Sequence, residues 1–178
     1  MNKKIRYAVL AAMMAAFVFL FTAYVLHIPV GIGGGYIHLG DMAVYIAAAL
    51  LPTPYAVLAA ALGGGLADVL TGAAMWAVPT ILIKSLMVLT FTAKQPRLLC
   101  RRNVLALFFA GVIGVVGYAF AEIALVTLSG GGWQAAVTGS LAAVLPNVAQ
   151  ETAAGIGFAL FALFFDRIDG KSRLLRGV

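Results

Sequence analysis

The chain is short of charge. Only 10% of its 178 residues are Asp, Glu, Lys or Arg, against about one quarter in soluble domains, and this scarcity excludes a free-standing soluble fold. Cysteine is almost missing. The single Cys100 lies in a basic loop, which excludes an internal disulfide and makes it an incidental thiol. Catalytic signatures are missing too: there is no HExxH, no CxxC and no Ser/His/Asp arrangement, so no enzyme is read here. Gly170-Lys171-Ser172 has the look of a P-loop end, but the position where the loop needs its first glycine holds Phe165. Asp166 and Asp169 sit among Arg and Lys and read as a solvated interfacial end, not a metal site. Basic and aromatic residues do not interleave, so nucleic acid is not an expected partner. Neither metal nor cofactor is expected.

Hydrophobic residues, by contrast, make up 63% of the chain, with a mean hydropathy of +1.06. This is the composition of an integral membrane protein, multi-pass in the cell membrane, with room for one helical bundle over residues 1–178. The first apolar run covers 5–27 and is long enough to span. Lys3, Lys4 and Arg6 before it suggest a signal peptide, yet its apolar part is too long for one and no small-residue cleavage site follows, so it is expected to stay. Prolines 52 and 54 flank Thr53 and break the next run, as do Thr71-Gly72 and Pro79. Helices are therefore predicted over 36–51, 54–70 and 77–93, then 103–128 and 133–165, with a kink at Pro146 in the last. The helix over 36–51 and the one after it look short for spanning.

Charge placement tests this count. Lys3, Lys4 and Arg6, then Lys94, Arg97, Arg101 and Arg102, then Arg167, Lys171, Arg173 and Arg176 form three basic segments. The positive-inside rule puts all three in the cytoplasm, which requires an even number of spans between them. Four plus two satisfies this, giving an all-α bundle of six transmembrane helices with both termini cytoplasmic. The net charge of +6 then reports orientation.

Asp41, Asp68, Lys84, Glu122 and Glu151 fall inside or beside apolar runs, where an ionisable group is costly enough to be presumed functional. Trp76, Thr80 and Lys84 share one helix face at four-residue steps, and so do Tyr118 and Glu122 on the next helix. Asn147, Gln150 and Glu151 share a face below Pro146. An aromatic at an external mouth with polar groups lower down suits a small polar ring compound. Lys84 is expected to neutralise Glu122 or Glu151, because buried charges need partners. One lysine cannot serve every carboxylate, so the remainder are protonated, lie near water, or are completed by a ligand. Asp68 reads as structural, and His27 as interfacial. Asp41 reads either as a helix-start cap or as a ligand contact. Gly33, Gly34, Gly35 and Tyr36 read as a glycine-rich loop able to cover a cavity. Ala8, Ala12 and Ala16 make a stripe of small residues that packs either within the bundle or against an external partner.

Taken in order, Ala8-x-x-x-Ala12, Gly35-Tyr36-Ile37-His38-Leu39-Gly40-Asp41, Pro52-Thr53-Pro54, Gly63-Gly64-Gly65-Leu66-Ala67-Asp68 and Pro79-Thr80-Ile81-Leu82-Ile83-Lys84-Ser85-Leu86 resemble the substrate-binding S component of energy-coupling factor (ECF) transporters. Thr53 departs from that pattern, where many members have glycine. The resemblance implies a high-affinity binder of a vitamin or related micronutrient with no ATPase of its own. It also implies capture beneath the loop after the first helix, and docking through the alanine face to a transmembrane coupling subunit driven by two ATPase subunits. The substrate stays open among pyridoxine-like, pyrimidine, thiamin-like and riboflavin compounds, since the quoted motifs are mostly shared scaffold. The rival reading is a self-sufficient proton-coupled carrier or channel in which Asp68, Glu122 and Glu151 relay protons.

Overall fold

The structure is a computed structural model that describes residues 2–25, 28–30 and 35–176. Helix α1 (Lys3–Ala23) opens on Asn2, whose side chain accepts from the Lys4 N–H at 3.0 Å, and leads to two short strands, β1 (Ile28–Val30) and β2 (Gly35–Ile37). The strands pair antiparallel with Ile28 opposite Ile37. Then follow α2 (Gly40–Leu50), α3 (Thr53–Leu70), a 3-10 turn at Ala74–Trp76, α4 (Ala77–Leu89), α5 (Arg101–Leu128), α6 (Trp133–Arg167) and α7 (Gly170–Leu174).

Three boundaries depart from expectation. Residues 36–39 form a strand end and a turn, so α2 begins at Gly40. Backbone pairing to β1 holds Tyr36 and Ile37 out of the helix. The first helix ends at Ala23, and the fourth at Leu89. Pro146 lies inside one continuous helix, where it removes an N–H without ending the element.

Four helices, α1, α3, α5 and α6, are long and apolar enough to cross a membrane. Their outer faces carry exposed Phe17, Leu62, Phe108, Phe120 and Leu160, as a surface solvated by lipid requires. Helix α2 is the opposite. At 11 residues it reaches only about 16 Å, and all its residues except Met42 are buried. It is the central post, contacting α1, α3, α4 and α6.

Glycine makes the close packing around it. A Cβ on Gly63 would lie 2.5 Å from the Ala15 carbonyl oxygen, so the glycine run of α3 is where α1 and α3 touch backbone to backbone. A Cβ on Gly40 would meet Thr22 Oγ1 at 1.9 Å, which seats the start of α2 on α1. Tyr45 stacks on Phe91 with centroids 5.2 Å apart, and Phe158 stands edge-on to Tyr45 at 6.3 Å and to Phe91 at 5.8 Å. This aromatic trio fills the core between α2 and α6.

The other end gathers the basic residues. Lys171 donates to the carbonyls of Ala49, Ala93 and Gln95 at 2.9, 2.7 and 2.8 Å, and Asp166 accepts from the Leu98 and Leu99 amides at 2.8 and 2.9 Å. The ends of α2, α4 and α6 and the start of α5 therefore lie together. Tyr7 packs on Tyr55 at 5.4 Å and brings the start of α1 to the same end. Of the 12 Lys and Arg residues, all but Lys84 belong to this end.

Candidate functional site

Lys84 of α4 is completely buried within an apolar run. Its partner is Asp41, also fully buried, with which it forms a close ion pair. Neither Glu122 nor Glu151 takes that role, because the first turn of α2 delivers Asp41 to the same depth. Asp41 is thus not the N-cap: that position is Leu39, whose side chain makes no capping hydrogen bond. The second Asp41 oxygen accepts from Gln150 Nε2 at 2.7 Å, and Gln150 Oε1 accepts the His38 N–H at 3.0 Å. His38 Nδ1 in turn accepts the Gly40 N–H at 3.0 Å and lies 3.9 Å from Asp41. One chain of polar groups therefore runs from α4 through α2 to α6 and ends on the foot of the β1–β2 hairpin. Such fully connected networks fix a unique arrangement, since each partner left bare would cost its desolvation.

A second pair lies beside it. The Tyr45 hydroxyl donates to the Glu151 carboxyl. Two glycines make the space for these groups. A Cβ on Gly114 of α5 would fall 2.1 Å from Glu151 Oε1, and one on Gly64 of α3 would fall 2.6 Å from Lys84 Cδ. Nearer the 3-10 turn, Tyr118 donates to Thr80 Oγ1 at 3.3 Å, and its ring lies 6.1 Å from that of Trp76.

The structure therefore brings Trp76, Thr80 and Tyr118 together, joins Lys84 to Gln150 through Asp41, and pairs Glu151 with Tyr45. Two candidates stand apart. Glu122 is buried next to Gly139 of α6, where a Cβ would come within 3.1 Å of its Oε1, and Asn147 is half-buried with no side-chain hydrogen bond to the described residues. Asp68 is buried at the end of α3. Gly33, Gly34 and His27 lie outside the described residues, while Gly35 and Tyr36 belong to β2. Ala8, Ala12 and Ala16 are exposed, and it is Ala11, Val18 and Thr22 that face inward. Tyr45 had no polar signal in the sequence. Only its position one turn after Asp41 on the same helix face marks it.

A hollow of about 580 Å³ lies between α5 and α6. Its walls are Phe108, Val112, Val116, Val148 and Ile156, with Glu151 and Thr152 as the polar members. Trp76, Thr80, Lys84 and Tyr118 do not line it, so the polar network is a packed core beside this hollow and not its rim. Among the described residues no cluster of His, Cys, Asp or Glu could hold a metal ion.

The lipid-facing helical bundle has a counterpart among known proteins. The family described as "ECF-type riboflavin transporter, S component" matches residues 2–166. The chain belongs to this family. Its members are substrate-binding components of transporters, not enzymes, and multi-pass membrane proteins. A solved structure, reported as the structure and mechanism of the S component of a bacterial ECF transporter, superposes with a TM-score of 0.73 at 13% identity, covering 93% of this chain and 98% of that one. At that identity the likeness shows the S-component fold alone. No curated protein matches the sequence. In this S component the network residues Asp41, Lys84 and Gln150 lie on α2, α4 and α6, and α2 touches both of the other helices.

Proposed function

We propose that this S component captures riboflavin or a closely related flavin from outside the cell and delivers it to an ATP-driven ECF complex. One observation carries this reading: polar side chains of α2, α4 and α6 converge at the foot of the β1–β2 hairpin in a chain whose residues 2–166 match the riboflavin family. The six helices α1–α6 cross the membrane with both termini cytoplasmic, which the gathering of basic residues at one end supports. Trp76 and Tyr118 offer aromatic faces to an isoalloxazine-like ring, and Thr80, Gln150 and Glu151 offer hydrogen bonds to its polar edge. Lys84 acts through Asp41, holding Gln150 in place. The segment holding Gly33, Gly34, Gly35 and Tyr36 closes over the ligand, and the exposed Ala8, Ala12 and Ala16 face docks on the transmembrane coupling subunit, which two ATPase subunits drive.

Flavins fluoresce, so the test is direct. Purified protein in mild detergent should quench riboflavin fluorescence saturably at one ligand per chain, and mass spectrometry should find a flavin co-eluting. Glu151→Ala should weaken binding about tenfold or more with helix content unchanged. A different co-eluting vitamin would retain the class and replace the substrate. Flux through the protein alone in liposomes, without ATPase partners, would favour a proton-coupled carrier instead.

A further inference from the structure

At the basic end, a second cavity of about 520 Å³ is built from the 94–100 loop and the last turns of α6. Its composition is divided. One part is charged, with Arg97 and Arg167, and the other is apolar, with Leu160, Leu163 and Phe164. Those three apolar side chains are more than half exposed, at 64, 56 and 64%, on a helix whose flank faces lipid. Asp166 also borders the cavity, but both its oxygens accept loop amides, from Leu98 and Leu99. Those two bonds fix the Arg97 loop against α6, and neither arginine is ion-paired among the described residues. The cavity keeps a net charge of one positive, counting Arg97, Arg167 and Asp166.

We propose that this cavity is a binding site for one anionic phospholipid of the cytoplasmic leaflet. Arg97 and Arg167 hold the headgroup phosphate, and Leu160, Leu163 and Phe164 carry the start of an acyl chain. Charge complementarity selects the occupant. The site lies at the end where eleven basic residues collect, hence at the leaflet rich in anionic lipid, and arginine binds phosphate through a planar fork of donors. The apolar wall continuous with the lipid-facing surface distinguishes a lipid from a soluble phosphate, which has no use for it.

The experiment is native mass spectrometry of the full chain released from nanodiscs made of equal parts phosphatidylglycerol and phosphatidylcholine. The wild type should retain one phosphatidylglycerol in preference to phosphatidylcholine. Arg97→Gln with Arg167→Gln should cut that preference about thirtyfold, whereas Arg101→Gln with Arg173→Gln, which removes as much charge from the same end, should leave it intact. Should the double glutamine variant prove unstable, Leu163→Glu, at an exposed position, should expel the lipid while the fold stays whole. Equal retention of both lipids by the wild type, or an equal loss in the Arg101/Arg173 variant, would overturn the site in favour of diffuse attraction. Displacement of the retained lipid by millimolar glycerol 3-phosphate would assign the cavity to a soluble phosphate and overturn the lipid.

Discussion

Two lysines are buried among the described residues, and they are held in opposite ways. Lys84 is matched by a carboxylate, Asp41, at a depth where both side chains are fully buried. Lys171 has no carboxylate within bonding distance among the described residues and is held by three carbonyls, of Ala49, Ala93 and Gln95. Those carbonyls are free because they lie at a helix end or beyond it, where the last turn has no i+4 donor. Burial pushes the Lys171 ammonium down from the ordinary lysine range, and the nearby Cys100 and Asp166 oppose that. A cation inside the bundle thus needs a counter-charge on another helix, while one at the rim can serve as a shared C-terminal cap.

The sharpest way to break this contrast is to remove each lysine in turn. Lys84→Met leaves Asp41 bare in a dry core and should cost about 3–5 kcal/mol, enough to abolish a cooperative thermal transition in detergent. Lys84→Met combined with Asp41→Asn should recover most of that loss, because no uncompensated charge remains. If the single and double variants both melt like the wild type, the pair contributes nothing to folding and its place in the core is for ligand. Lys171→Met should cost less, about 1–3 kcal/mol, because water can reach the end of the bundle and replace part of what the ammonium gave. It should also release the 94–100 loop, read as faster hydrogen exchange at Leu98 and Leu99. Unchanged exchange there would mean that Asp166 alone fixes the loop.

The difference also shows what the sequence can reveal. Periodicity and proline placement locate the helices, an ionisable residue in an apolar run marks Lys84, Asp41 and Glu151 as worth watching, and Gln150 is marked by sharing a helix face with Glu151. The pairing is another matter. Asp41 and Lys84 are 43 positions apart, and nothing in helical spacing says which carboxylate on which neighbour reaches the lysine, so Glu122 and Glu151 are equally good candidates until α2 is seen at the centre. Lys171 looks like one more member of a basic cluster, because a positive-inside signal and a buried cap have the same letters. Gly114 reads as a small residue in a spanning helix, and only in three dimensions does it become the space for the Glu151 carboxyl. The hairpin is hidden for a related reason: its strands are 3 residues each, too short for an alternation to register.

Gly114 gives the next prediction in size. Gly114→Ala puts a methyl 2.1 Å from where Glu151 Oε1 sits, so the carboxyl must swing away from Tyr45. Overpacking of this kind costs about 1–3 kcal/mol. Riboflavin affinity should fall with it, by a factor similar to that of Glu151→Ala, if Glu151 serves the ligand. A stable Gly114→Ala protein with full affinity would separate Glu151 from binding and leave it a structural partner of Tyr45.

The smallest effect on the isolated protein is expected at Ala12, and there the contrast between inner and outer faces of one helix becomes a functional test. Ala11 is buried against the bundle, whereas Ala12, one residue on, is exposed. Ala12→Leu adds bulk to an exposed surface, so the melting transition and riboflavin affinity should stay within the scatter of a surface substitution, about 0.5 kcal/mol. Ala11→Leu should destabilise, because its added methyls have no room. Uptake by cells supplying the coupling and ATPase subunits separates the two possibilities for the outer face. If Ala12→Leu abolishes uptake while binding persists, close helix approach by a partner uses that stripe; if uptake is normal, the alanines merely face lipid and the coupling subunit docks elsewhere.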